Sequence, residues 1–141
     1  MKILLDANIA LDVLLERQPF YVSGARVLGL SKGGIELFIS ASTVTDIYYI
    51  TRRELKNKDV ALTLLKNLLT SVDVAAVTNS EIYRAIDLNW SDLEDAVQYA
   101  AGETLAVDYL VTRNVSDFTA AAYPVVTPDE LINILVNKDN K

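Results

Sequence analysis

Short apolar runs and helical-period stripes alternate along the chain. Ile3–Leu5 is a continuous apolar run and predicts a buried strand, and Asn8–Leu15 resumes the apolar pattern at helical spacing. After Pro19–Phe20 a second helix runs through Leu30, with Gly33–Gly34 as its stop. Ile35–Ile39 reads as a strand, and Ser42 or Thr43 caps a helix to about Glu54. Asp59–Leu69 is a strongly apolar helix, and the β-branched Val72–Val77 is a strand. Asn79 caps a helix through Leu88. Ser91-Asp92-Leu93-Glu94 has the spacing of a capping box, with Ser91 at the cap. Tyr109–Val111 and Val125–Val126 are the last strands. Thr127-Pro128-Asp129-Glu130, a second capping box with Pro at the first helical position, launches the final helix.

Strands alternating with helices imply βαβ crossovers, hence an α/β fold with a central parallel sheet flanked by helices on both faces. No linker, repeat or low-complexity stretch divides the chain, so one domain is expected over 1–136, with a polar tail over 137–141. In such sheets the functional crevice lies outside the carboxyl ends of the strands. The residues that directly follow each strand are therefore the first candidates for chemistry.

Composition narrows that chemistry. The 141 residues are 51% hydrophobic, enough for one sizeable core. The apolar runs are too short to span a bilayer, and Asp6 interrupts the first too early for a signal peptide, so a cytoplasmic protein is expected. There is no cysteine, which excludes disulfides, thiolate zinc sites and thiol nucleophiles. There is no histidine either, which excludes a Ser-His-Asp triad, a His general base and His-ligated metals. The remaining donors, carboxylates and carbonyls, suit hard ions such as Mg²⁺ or Mn²⁺. The net charge of −6 argues against non-specific nucleic-acid binding. Two bound divalent ions would move that balance from −6 to about −2.

Acids recur where strands should end. Asp6 follows the first strand, Asp46 lies early in the helix after the second, and Asp117 follows the "YLV" strand, with Thr112 and Asn114 between. The helix opening "SDLEDA" adds Asp92, Glu94 and Asp95. Converging carboxylates repel one another and need counter-charge, which a divalent cation supplies. Each acid also has a structural explanation. Asp6 can cap the next helix, and Asp92 and Glu94 fit the capping box. Asp95 lies off the Leu93/Ala96/Val97/Ala100/Ala101 stripe, and Asp46 off the Val44/Ile47 stripe, which places both toward solvent. Asp12, one helical turn beyond Asn8, is expected on the solvent side.

Five segments, in order, resemble the PIN-domain family and the VapC-type toxin nucleases within it. "LLDANIALDVLL" is similar to the family's strand-Asp-x-Asn opening, and "ISASTVTDIYY" to its Ser/Thr-rich turn leading to an acid on a helix. "LEDAVQYAAG" resembles its Asp-Ala helix, "YLVTRNVSDF" its strand-Thr-x-Asn signature, and "VVTPDELINIL" its closing strand and helix. The resemblance implies a metal-dependent endoribonuclease using Mg²⁺ or Mn²⁺, with Asp6, Asp46, Asp95 and Asp117 as its metal-holding acids. At Asp46 most relatives have Glu. Asn8, Thr112 and Asn114 match polar positions that orient the acids or contact phosphate. It further implies an RNA substrate, a homodimer, and an antitoxin partner for a toxin member; the short apolar runs imply no membrane association.

RNA requires cations. Arg52, Arg53, Lys56 and Lys58 form the densest basic stretch, a solvated helix end or an RNA track, whereas Arg17 and Arg113 lie nearer the acids. Tyr48, Tyr49 and Tyr99 are candidates for stacking on bases or for burial. Two other readings remain open on sequence. One is a catalytically degenerate PIN domain that binds RNA or protein. The other is a phosphotransferase that forms an aspartyl-phosphate on Asp6, as haloacid-dehalogenase-like phosphatases and response-regulator receivers do.

Overall fold

The computed structural model describes residues 1–139. Its strands are β1 (Lys2–Leu5), β2 (Glu36–Ser40), β3 (Asp73–Ala75), β4 (Tyr109–Val111) and β5 (Val125–Val126). They form one sheet in the order β3-β2-β1-β4-β5, and every pairing is parallel. The helices among the described residues are α1 (Ala7–Leu14), α2 (Tyr21–Gly29), α3 (Ala41–Leu55), α4 (Lys58–Leu68), α5 (Asn79–Leu88), α6 (Leu93–Leu105) and α7 (Pro128–Asp139). Short 3₁₀ turns cover Leu30–Gly33 and Val115–Phe118. No helix among the described residues is long and apolar enough to cross a membrane. The helix α7 continues through Asp139, and the end of the polar tail expected over 137–141 lies outside the described residues.

Alternation along β1 sorts the core. Ile3 and Leu5 pack with Ile9, Val27, Ile47, Leu68 and Leu131, under the helices of one face. Leu4 points the other way, onto Ala101, Val107 and Phe118. The helix α6 lies so close to the sheet there that a Cβ on Gly102 would collide with the Tyr123 hydroxyl and crowd Leu4 and Val107. Small residues at Ala96, Ala100, Ala101 and Gly102 permit that approach, and α6 is buried over Ala96–Gly102.

Several helix starts differ from the expected ones. Ser40, not Ser42 or Thr43, caps α3, its hydroxyl accepting the Ser42 amide at 3.3 Å. Thr78, not Asn79, caps α5 through a reciprocal box with Glu81. Asp92, not Ser91, caps α6 and accepts the Asp95 amide at 3.0 Å. An acid followed by the right helical spacing serves as a cap as well as Ser does, so the frame moved by one residue. Thr127 and Glu130 exchange the two bonds of the expected box at 3.2 and 3.3 Å. The strand read over Val72–Val77 shortens to β3, and α4, apolar in composition, buries only Ala61 and Leu68.

Candidate active site

The strand order places β1 and β4 side by side at the centre of the sheet, where the connections diverge to opposite sides. Leu5 pairs with Ile39 on one side and Val111 on the other, so β1, β2 and β4 end at nearly the same level. Asp6 and Thr112 therefore leave the sheet together. The backbone amide of Asp6 donates to the Val111 carbonyl at 2.9 Å, and the Thr112 hydroxyl donates to Asp6 Oδ2 at 2.8 Å. Thr112 Oγ1 also accepts the Asn114 amide at 3.0 Å and Asn8 Nδ2 at 3.4 Å.

Asp6 holds the N-cap position of α1 yet makes no side-chain capping bond. Its carboxylate is instead turned into the cluster and is only 8% exposed. Burial raises its pKa, while hydrogen bonding from Thr112, Gln98 and the Ala7 backbone pulls the other way and Asp117 adds repulsion. Asp95 is half-buried at the start of α6. Burial first, then the charges of Asp92, Asp6 and Asp117, push it up to about 7. All three charges acting on Asp95 are negative.

Asp117 rides on the Val115–Phe118 turn. Phe118 is buried and meets Trp90 edge-on at 6.0 Å, and Trp90 also packs against Tyr99 at 4.9 Å. This aromatic cluster fixes the turn bearing Asp117 against the loop entering α6. Asp92, Asp95 and Asp117 share a cleft of about 410 Å³ with Trp90, Ser116 and Thr119.

Asp46 stands slightly apart. It lies against Glu94, whose carboxyl is pushed up to about 7, first by hydrogen bonding with Asp46, then by burial and further acidic neighbours. Glu94 is therefore not the reciprocal member of a capping box. The solvent side predicted for Asp95 is corrected too: α6 packs against both the sheet and α5, so a single stripe does not describe its buried surface.

Asp12 is a clear correction. Expected at the surface, it is 1% exposed. Arg113 grips it with Nε at 2.6 Å and Nη2 at 3.2 Å, and Arg17 stands 3.9 Å away. The Arg113 guanidinium also lies 4.0 Å above the Phe20 ring. Both arginines expected near the substrate are thus tied to Asp12. Tyr99 is a core residue whose hydroxyl accepts the Ala122 amide, whereas Tyr49 is exposed.

The sequence reading gives Glu94 only a capping role and does not single out Gln98. Gln98 interrupts the apolar run "AVQYAA", which was a usable signal. Its Oε1 and Asn8 Oδ1 are buried oxygens without a hydrogen-bond partner.

These donors fit a hard divalent cation. Carboxylates repel one another with no cation acting on Asp95, and unpartnered amide oxygens lie nearby. Among the described residues no three acids stand close enough to enclose an ion unaided. An ion that retains several waters, as Mg²⁺ does, needs only one or two direct carboxylates.

Such a molecule is a parallel α/β domain with an acid cluster at the carboxyl edge of its central strands. The PIN-domain family model matches residues 2–116, and the chain belongs to that family. Its fold is similar to VapBC-1 from nontypeable Haemophilus influenzae, at 14% identity, TM-score 0.71, over 92% of this chain and 99% of that one. VapBC2 from Rickettsia felis, bound to a promoter DNA fragment, matches at 16% identity and TM-score 0.69, over 89% of this chain and 97% of that one. The VapC20 toxin of Mycobacterium tuberculosis, which cleaves the sarcin-ricin loop, matches at 16% identity and TM-score 0.68, over 86% of this chain and 95% of that one. No curated protein is significantly similar in sequence.

Proposed function

We propose that this PIN domain is a divalent-metal-dependent endoribonuclease that hydrolyses RNA phosphodiester bonds, acting as the toxin of a toxin-antitoxin pair. The observation that carries the reading is the convergence of Asp6, Asp95 and Asp117, whose negative charges act on one another at the carboxyl edge of the sheet. Asp6, Asp95 and Asp117 would hold Mg²⁺ or Mn²⁺, with Asp46 joining through its contact region with Glu94. Such an ion polarises a phosphoryl oxygen and lowers the pKa of a water at neutral pH.

The chain's own side chains supply the rest. Thr112 fixes the Asp6 carboxylate, and Asn8 and the Asn114 amide fix Thr112. In a chain without histidine, Glu94 is placed to hold or release a proton at its carboxyl oxygen near neutral pH. Structural likeness to the VapBC proteins of Rickettsia felis and Haemophilus influenzae supports an antitoxin as partner. A homodimer as the active form is part of the same proposal.

The test is cleavage of a mixed RNA pool with Mn²⁺ present or chelated. Wild type is expected to cut only with the ion. Asp6→Asn and Asp95→Asn are expected to lose at least ~100-fold in rate while retaining the wild-type circular dichroism spectrum. Undiminished cleavage by folded Asp6→Asn overturns the proposal. The placement of Asp46 against Glu94 favours one second reading, a PIN domain that binds RNA without cutting it. Calorimetry with Mn²⁺ separates the two, because that domain would show no saturable uptake.

A further inference from the structure

Four of the chain's cationic residues, Arg52, Arg53, Lys56 and Lys58, crowd the junction of α3 and α4 in a protein of net charge −6. With Tyr49 and Asn57 they line a cleft of about 480 Å³ whose lining contains no carboxylate. All four are exposed, and their one close ion pair among the described residues, Arg53 with Glu54 at 4.0 Å, joins two solvated side chains. Arg52 and Arg53 complement the carboxyl end of α3, which gives them a structural role. Lys58 has no such excuse: it is the first residue of α4, where the helix dipole disfavours a cation. An anion resting in the cleft would remove that conflict.

One face of α3 leads from the acid cluster toward this cleft. Ser42, Asp46, Tyr49 and Arg53 recur at helical spacing on that face. Asp46 touches the cluster through Glu94, and Arg53 follows it by seven residues, about 10 Å along the axis. Between them stands Tyr49, 62% exposed and braced edge-on by Tyr48 at 5.0 Å. A held aromatic ring beside a row of cations is the surface that single-stranded nucleic acid uses, bases stacking while phosphates are neutralised.

We propose that single-stranded RNA runs from the acid cluster along the outer face of α3, stacking one base on Tyr49 and seating its phosphates on Arg52, Arg53, Lys56 and Lys58. The path rests on the ribonuclease reading for its starting point.

The experiment is anisotropy of a fluorescein-labelled, 16-nucleotide single-stranded RNA titrated with the full chain in EDTA, over a KCl series. The triple variant R52Q/R53Q/K56Q is expected to flatten the slope of log K against log[KCl] by about 2, each lost phosphate contact removing ~0.7. Tyr49→Ala is expected to weaken binding roughly 10-fold and leave the slope unchanged. The proposal is overturned if wild type fails to bind, or if the triple variant keeps the wild-type slope and affinity. It is equally overturned if that variant changes only self-association in sedimentation, which would make the patch an interface between copies. The same RNA with Mn²⁺ separates the two readings. Salt-sensitive binding through the patch without cleavage sinks the nuclease alone, and cleavage with unaltered binding by the triple variant sinks the path alone.

Discussion

The hydroxyl of Thr112, at the end of β4, donates to the carboxylate of Asp6, at the end of β1, across 2.8 Å. The same oxygen accepts the Asn114 amide, so one buried side chain ties together three candidate site positions. Replacing Thr112 with Val keeps the shape and removes these two bonds together with the longer one from Asn8 Nδ2. The carboxylate loses its donor, and the Asn114 amide is left unpaired. Thr112→Val is expected to destabilise the fold by ~1–3 kcal/mol in urea denaturation at pH 7 and to depress cleavage. A loss below ~0.5 kcal/mol would show that the hydroxyl does not hold the carboxylate.

Asp95 predicts a pH dependence. Its carboxyl is raised from 3.8 to about 7 in the folded chain, so the folded form keeps a proton that the unfolded form has released. Stability from this group is full below 3.8 and is lost as pH rises toward 7. The shift alone would correspond to about 4 kcal/mol, and partial exposure of Asp95 reduces the expected loss to ~1–2 kcal/mol. Melting in EDTA from pH 4 to 8 measures it, and Asp95→Asn should flatten the curve. Mn²⁺ should restore stability at pH 7.5 and do little at pH 4.5, where protons compete for the carboxylates.

Asp12 predicts a large cost for a residue that lies away from the acid cluster. At 1% exposure it neutralises Arg113 and faces Arg17. Asp12→Ala leaves a half-buried guanidinium without its partner and is expected to cost about 3 kcal/mol in chemical denaturation. Asp12→Asn retains hydrogen-bond acceptance and should cost less. A change within ~0.5 kcal/mol for Asp12→Ala would return the residue to the surface role its helix spacing suggested.

Glu94 separates proton transfer from structure. Its carboxyl is raised from 4.5 to about 7, so the stabilisation from its contact with Asp46 is full below 4.5 and fades toward 7. Glu94→Gln offers an amide donor in place of the protonated acid. Stability is therefore expected to become less sensitive to pH between 5 and 8 (about the range of the shift). Cleavage is expected to fall by ~10²-fold or more, because the amide cannot move a proton. Unchanged cleavage would remove Glu94 from the chemistry.

Local signals in the sequence determined the architecture. Apolar runs bounded by polar residues marked all five strands, and the parallel α/β arrangement followed from their alternation with helices. Asp6 and Thr112 were legible for the same reason: each directly follows a strand, and parallel strands bring such positions to one edge whatever the details of packing. The five ordered motifs carried the family, and residues 2–116 match it. Tertiary structure alone decided which side of a helix is outside. α6 is buried over seven consecutive residues, so a single-stripe reading misplaced Asp95. α1 buries Ile9 through Asp12, and the arginine that neutralises Asp12 arrives from the far end of the chain. Whether Glu94 caps a helix or meets Asp46 depends on how α3 and α6 approach each other. A charge can be buried wherever a distant segment neutralises it, and helical periodicity in one segment carries no record of that partner.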